Sequence, residues 1–244
     1  SGKAAENYGK ILQSAGEYDK AKDYYEVAID RGSKNLALNN YIESCKWALK
    51  NTGLGLFQLS STGLQINSKA YGVSFYGNSI IYAARSEKKT KDALGDNTTD
   101  LYSAILAGST PGVPKILQGK LNSSDNEGGV CFSPDQKTIY FTRIVVEKDG
   151  KKTYKLMQSE NKGSGWDSPK EMSINNSKYN CAYPAMGPDE NTLYFASDMP
   201  GGLGQFDIYV VEKQGNKWTA PKNLGDKINT PGNEVFPSIS ETGI

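Results

Sequence analysis

The sequence predicts a mainly β chain: a partial β-propeller of four-stranded blades preceded by a short α-helical segment. Three observations predict it. Apolar and small residues fall at helical spacing from Ala4 to about Leu49. Beyond Gly53 the helix formers thin out, and short runs rich in Tyr, Phe, Val and Ile are separated by Gly, Asn, Ser and Thr. The run Phe132-Ser133-Pro134-Asp135 to Ile139-Tyr140-Phe141-Thr142 then recurs as Met186-Gly187-Pro188-Asp189 to Leu193-Tyr194-Phe195-Ala196, an offset of 54 residues.

In the first segment Tyr8, Ile11, Leu12 and Ala15 form one helical face, and Gly16-Glu17 breaks it. Tyr18, Ala21, Tyr24, Tyr25, Ala28 and Ile29 form a second face, and Arg31-Gly32-Ser33 breaks that. Leu36, Leu38, Tyr41, Ile42, Cys45, Trp47 and Leu49 give a third. The spacing Tyr8-Gly9, Leu12, Gly16, Tyr18, Ala21, Tyr25, Ala28 resembles one tetratricopeptide repeat, in which small residues let paired helices approach. One repeat cannot bury its own face, so residues 1–50 are expected to cap an array or to act as a short helical adaptor.

The repeat carries on past its turn. Gly165-Trp166-Asp167-Ser168-Pro169-Lys170 parallels Lys217-Trp218-Thr219-Ala220-Pro221-Lys222, the offset closing to 52. Each copy holds four strand-like runs, such as Cys181 to Met186, Thr192 to Ser197, Phe206 to Glu212 and Trp218 to Leu224. Four short strands per period of about 50 residues is the pattern of a propeller blade. Blades are expected at about 66–120, 121–174 and 175–228, with an incomplete one at 229–244. The first lacks the Pro-Asp turn, and the second carries Lys155 where the others have Asp100 and Asp207. Phe57 to Ser60, followed by Ile66-Asn67, repeats a blade end and reads as a closing strand within 54–60. Three blades and a fraction cannot close a ring of about four to eight. The sequence is therefore expected to be a fragment of a longer chain.

Composition narrows the chemistry. The 244 residues carry 28 Lys and Arg against 27 Asp and Glu, a net charge of +1, so nothing at this level argues for nucleic acid or a polybasic membrane surface. A partner is met by shape rather than field. With no histidine, the Ser-His-Asp and Cys-His nucleophiles and the HExxH zinc site are all excluded. Cys45, Cys131 and Cys181 form no CxxC and no dense disulfide framework. No apolar run reaches the length of about 18 residues that a membrane helix needs. The opening Ser1-Gly2-Lys3 has no apolar signal core, which suits a cytosolic protein or the mature part of an exported one.

The runs Phe132-Ser133-Pro134-Asp135 with Ile139-Tyr140-Phe141, and Leu193 to Asp198 with Gly201-Gly202-Leu203-Gly204-Gln205-Phe206-Asp207-Ile208-Tyr209, resemble the WD-type, TolB-like (PD40-type) propeller repeats of Gram-negative envelope proteins. A tetratricopeptide segment followed directly by such repeats, here about Ala4 to Ile244, is similar to multidomain OmpA-family proteins, among them PorE-like periplasmic components of the type IX secretion system. The resemblance implies an exported, periplasmic protein associated with the outer membrane or peptidoglycan. It implies partners among envelope or secretion-system proteins, and peptidoglycan gripped by a domain lying beyond Ile244.

Candidate chemical groups are few. Asp135 and Asp189 follow Pro134 and Pro188 and read as turn residues whose carboxylates bond the following backbone. Glu127 and Glu234 follow Asn126 and Asn233 just before a blade's first strand, where Asn180 is followed by Cys181. Two readings are open there. Either the carboxylates converge on the central channel as a glycosidase pair, or the asparagines bond loop backbone and the glutamates are solvated at a rim. The loop Asp198 to Asp207 offers carboxylates and carbonyls of the kind Ca²⁺ accepts, but a glycine hairpin explains it as well, and the same holds for Gly95 to Asp100. Trp166 and Trp218 recur at one blade position and read as core. No catalytic, cofactor-binding or metal residue is assigned. The sequence predicts a non-enzymatic interaction scaffold, the alternative being a glycan-acting or glycan-binding propeller that uses channel carboxylates.

Overall fold

A computed structural model describes residues 1–51, 63–64, 70–87 and 91–240. The chain divides into two compact units, Ser1–Ser60 and Ser61–Ile244. The expected closing strand at 54–60 lies outside the described residues, as does the Ile66-Asn67 copy.

The first unit holds three helices, α1 (Gly2–Ser14), α2 (Tyr18–Asp30) and α3 (Leu38–Asn51). Ser1 caps α1, its hydroxyl accepting from the Ala4 N–H at 3.4 Å. The core consists of Ala5, Ala21, Tyr25, Ala28, Leu38, Ile42 and Cys45. This is not the face that apolar spacing picks out in α1: Tyr8 is 46% and Ile11 64% exposed, and the buried positions are Gly2, Ala5, Glu6 and Gly9. The reason is close approach. A Cβ on Gly9 would lie 2.7 Å from the Tyr25 ring, so the large side chain of α2 needs a bare backbone opposite it. The Tyr25 hydroxyl finishes the contact by donating to Gln13 Oε1 at 2.6 Å.

The second unit is built of antiparallel sheets. Sheet I contains β1 (Ala70–Tyr76), β2 (Ser79–Arg85), β3 (Thr99–Ala107), β4 (Thr110–Pro111) and β5 (Lys115–Ile116). Sheet II contains β6 (Asn126–Phe132), β7 (Thr138–Val146), β8 (Lys152–Glu160) and β9 (Lys170–Glu171). Sheet III contains β10 (Cys181–Met186), β11 (Thr192–Ser197), β12 (Asp207–Gln214), β13 (Lys217–Trp218) and β14 (Lys222–Asn223). Each sheet is a meander of three long strands paired in chain order, and the two-residue pieces all pair with the third: β4 and β5 with β3, β9 with β8, and β13 and β14 with β12. The fold is thus mainly β with three short helices.

Apolar layers lie between successive sheets. Ile81, Ala83 and Leu101 of sheet I pack against Val130, Ile139, Phe141 and Met157 of sheet II. Tyr140 and Leu156 on the opposite face of sheet II pack against Cys181, Leu193, Phe195, Tyr209 and Val211 of sheet III. Strand alternation explains how sheet II serves both layers: neighbouring residues such as Tyr140 and Phe141 point to opposite faces. Sheets buried on both faces draw most of their stability from these layers, at about 25 cal/mol per Å² of apolar surface removed from water.

The hairpin turns form as their residues dictate. Asp135 Oδ1 accepts from the Lys137 N–H at 3.0 Å, and Asp189 Oδ1 from the Asn191 and Thr192 N–H groups at 3.1 and 2.9 Å. Gln136 and Glu190 take left-handed φ values of 58° and 62° at the position where the first hairpin has Gly77, at 55°.

Candidate functional site

The first strands β1, β6 and β10 lie side by side, and each is interrupted by a bulge, between Tyr71 and Ser74, Gly128 and Val130, and Ala182 and Ala185. The bulge residues Gly72, Gly129 and Tyr183 have φ values of 63°, 49° and 56°, and Phe236 in the next copy has 56°. These four residues touch in succession. A Cβ on Gly72 would meet Gly129 at 2.9 Å, a Cβ on Gly129 would meet the Tyr183 ring at 2.9 Å, and the rings of Tyr183 and Phe236 stack with centroids 4.0 Å apart. Two glycines and two aromatic rings therefore fill the space where the strands converge.

Beyond this plug the ends of the same strands open into a cavity of about 530 Å³. Its walls include Val73 and Phe75 from β1, Phe132 and Pro134 from sheet II, Met186 from β10, and Ile239. Val73 is 59% and Phe75 70% exposed, so large apolar side chains stand in water at its mouth.

The two sequence-selected glutamates are not brought together. Each closes its own loop by the same device. Ser123 donates its N–H and hydroxyl to Glu127 at 3.2 and 2.6 Å, and Thr230 does the same for Glu234 at 2.9 and 2.5 Å. The environments then diverge. Glu127 is fully buried and also receives the Arg143 Nε–H at 3.0 Å, while Arg143 Nη2 donates to the Leu121 carbonyl at 2.8 Å. Burial pushes the Glu127 carboxyl up to about 7, outweighing the Ser123 and Arg143 contacts that pull it down. Glu234 is partly exposed, whereas the solvated position expected of Glu127 fails, because β7 lays Arg143 across a fully buried carboxylate. Among the described residues no contact joins the two carboxylates.

The remaining candidates are also committed to loop structure. Asp207 accepts from the Leu203 and Gly204 N–H groups at 2.6 and 2.9 Å and from Asn223 Nδ2 at 2.7 Å, and Asp198 takes the Asn180 N–H and Nδ2 at 2.6 Å each. In the Gly95 to Asp100 loop the buried Asp100 accepts the Ser86 hydroxyl at 2.6 Å, and its other oxygen has no hydrogen-bond partner among the described residues. Among the described residues no three Cys, Asp or Glu side chains are grouped to hold a metal ion. The three cysteines are free, and burial pushes the Cys181 thiol up to about 12. Trp166 is 5% exposed in the first inter-sheet layer, whereas Trp218 is only half-buried.

Sequence reading foresaw loop bonding for Asn126, Asn180 and Asn233 but missed its target. Their Oδ1 atoms accept the N–H groups of Thr99, Tyr154 and Phe206, at or just before the third strand of the preceding sheet, at 3.1, 2.9 and 3.1 Å. A second set went unnoticed. Asn122, Asn175 and Asn229 each accept an N–H from and donate Nδ2 to one residue, Leu101, Leu156 and Ile208 respectively, at 2.7 to 3.1 Å. The signal was present in the recurrence of Leu121-Asn122, Ile174-Asn175 and Ile228-Asn229.

No family model and no curated protein matches the chain. Among solved structures it is similar to a putative TolB from Agrobacterium tumefaciens, with 19% identity, a TM-score of 0.46, and coverage of 75% of this chain and 57% of that one. It is similar also to a puromycin-hydrolyzing peptidase of Mycobacterium tuberculosis, at 12% identity and a TM-score of 0.43, covering 67% of this chain and 24% of that one. A third is the catalytic domain of the GH62 α-L-arabinofuranosidase of Coprinopsis cinerea, at 12% identity and a TM-score of 0.38, covering 72% of this chain and 55% of that one. The chain spans less than two thirds of the length of each. These proteins differ in activity, and the likeness selects none of them.

Proposed function

We propose that the chain is a non-enzymatic protein-interaction scaffold of the Gram-negative cell envelope, in which propeller-type blades follow a tetratricopeptide-like adaptor. The observation that carries this reading is the cavity of mixed lining at the strand ends, where Val73 and Phe75 stand exposed beside Phe132, Pro134 and Met186. Such a surface recognises a partner by shape and apolar burial, which suits a chain of net charge +1. The carboxylates that chemistry would need are instead tied to their own loops. Among the described residues no helix is long and apolar enough to cross a membrane. The repeat resemblance supports a periplasmic location, partners in an envelope or secretion complex, and a link to peptidoglycan through a domain outside this sequence.

The test is cross-linked pull-down of the full-length parent from envelope extracts, compared with a Val73→Ser, Phe75→Ser variant. Recovery of a defined envelope protein that the variant loses supports the reading. Recovery of only cytosolic proteins, or of no partner, overturns it.

One observation favours the second reading. Burial pushes the Glu127 carboxyl up to about 7, in the range of a glycosidase acid, while the side chain itself is fully buried and held by Ser123 and Arg143. Oligosaccharide hydrolysis that disappears in Glu127→Gln would establish it.

A further inference from the structure

The repeat places a tryptophan at the same point of sheets II and III, yet the two junctions it serves are built differently. At the first, Trp166 meets Tyr76 and Phe132 with ring centroids 5.7 and 5.9 Å away, and Tyr76 and Phe132 lie 4.8 Å apart. The Tyr76 hydroxyl is held by Asn161 Nδ2 at 3.1 Å. Three rings close that junction. Counting from the bulge residues Gly72, Gly129 and Tyr183, the second junction has Ser133 in place of Tyr76 and Met186 in place of Phe132. Trp218 there packs at the margin of the second inter-sheet layer, and its ring contact among the described residues is edge-on to Tyr140, with centroids 6.0 Å apart and planes at 80°. Among the described residues no ring stacks parallel to it.

Beside Trp218 a cleft of about 470 Å³ opens between sheets II and III. That volume lies within the range of about 300–1,000 Å³ typical of small-ligand sites. Its charged groups are Lys162, Lys170, Lys213, Glu160 and Asp167. Lys162 is spent on Asp167 at 2.8 Å, whereas Lys170 and Lys213 have no ion pair among the described residues. The uncharged lining is mostly hydrogen-bonding side chains, including Gln158, Ser168, Ser173 and Asn216.

From this combination we propose that the cleft binds an acidic sugar residue of a glycan. Lys170 and Lys213 meet its carboxylate, Trp218 takes the apolar face of its ring, and the amides and hydroxyls take its hydroxyl groups. Lys170 and Lys213 stand outside any ion pair among the described residues, and three lysines against Glu160 and Asp167 leave the cleft net positive, which favours an anion. The preponderance of neutral donors and acceptors beside one aromatic platform selects a polyhydroxylated ring over an acidic peptide, which offers few groups to such a lining. The carboxylates Glu127 and Glu234 play no part, so the proposal stands apart from both readings of the function above.

The test is calorimetric titration of the chain with trigalacturonate, with neutral maltotriose and hexaglutamate as controls. Saturable binding is expected for trigalacturonate and about tenfold weaker or absent binding for both controls, one lysine–carboxylate contact being the order of such a factor. Lys170→Ala with Lys213→Ala removes that preference, and Trp218→Ala weakens binding of the acidic sugar by about tenfold or more. The lysines are exposed and leave the fold intact, which thermal unfolding of the variant verifies. Three outcomes overturn the proposal: no saturable binding of trigalacturonate, binding unchanged in the double lysine variant, or a preference for hexaglutamate.

Discussion

Among the described residues each unit buries one glutamate, and the two are held in opposite ways. Glu6 of α1 is 1% exposed and lies under four donors: Lys3 and Lys10 at 2.9 and 2.8 Å, Asn35 Nδ2 at 2.9 Å and the Ser33 hydroxyl at 3.2 Å. Those donors pull its carboxyl from the ordinary 4.5 down to about 2, with the Lys10 contact contributing most. Glu127 has Ser123 and one arginine, and it goes the other way, to about 7. The lesson is that covered atoms are not the same as a dry environment. Lys3 and Lys10 are 69% and 43% exposed, so Glu6 sits just beneath a wet surface, whereas Arg143, the cation paired with Glu127, is itself just 16% exposed.

The largest effect is expected from taking away that cation. Arg143→Met leaves Glu127 without its ion pair in the protein interior, and urea unfolding of the β unit should show a loss of about 3–5 kcal/mol. Much of that loss is expected to return in the Arg143→Met, Glu127→Gln pair, because the buried charge goes with its partner. A full loss retained in the double variant would show that Arg143 acts mainly by packing over the Phe141 ring, 5.7 Å away.

Next comes the dependence on pH. Glu127 has a folded-state value of about 7 above its ordinary 4.5, so the native state holds the extra proton in between, and the stability of the β unit falls as pH rises from about 4.5 through 7. The full swing is up to about 3 kcal/mol. Glu6 has a value of about 2, below its ordinary 4.5, so its contribution is present above 4.5 and is lost as pH falls toward 2. Unfolding followed at 222 nm for the helices and in the near ultraviolet for the β unit should give slopes of opposite sign. Each slope should flatten only in its own glutamine variant, Glu127→Gln or Glu6→Gln.

Smaller changes sharpen the contrast. Ser123→Ala removes one hydroxyl donor from a buried carboxylate and is expected to cost about 1–2 kcal/mol in the same unfolding assay. Lys10→Ala removes a half-exposed partner from Glu6 and should cost about 0.5–1 kcal/mol, shrinking with added salt, which the Ser123 effect should not do.

What could be read from the residues follows the same divide between regular and special contacts. Strand runs and the Pro-Asp turns were legible because alternation and Asp135 or Asp189 chemistry are local. Helical spacing placed three helices but picked Tyr8 and Ile11 for the interior of α1. The packing instead rests on Gly9 lying against Tyr25, and small residues carry no hydropathy signal. Glu127 could be placed in its loop, but not its burial, because that depends on Arg143 from another strand 16 residues away. Trp218 was grouped with Trp166 by position, and only the exchange of Tyr76 for Ser133 and Phe132 for Met186 separates them. The cavity at the strand ends gathers residues from copies far apart in the chain, and no single motif announces it.

The two-handed grip of Asn122, Asn175 and Asn229 on the third strands has a mechanical consequence. A segment running from one sheet to the next is stapled at its start rather than left slack, so tension along the polypeptide reaches each meander through a carboxamide before it reaches any ladder.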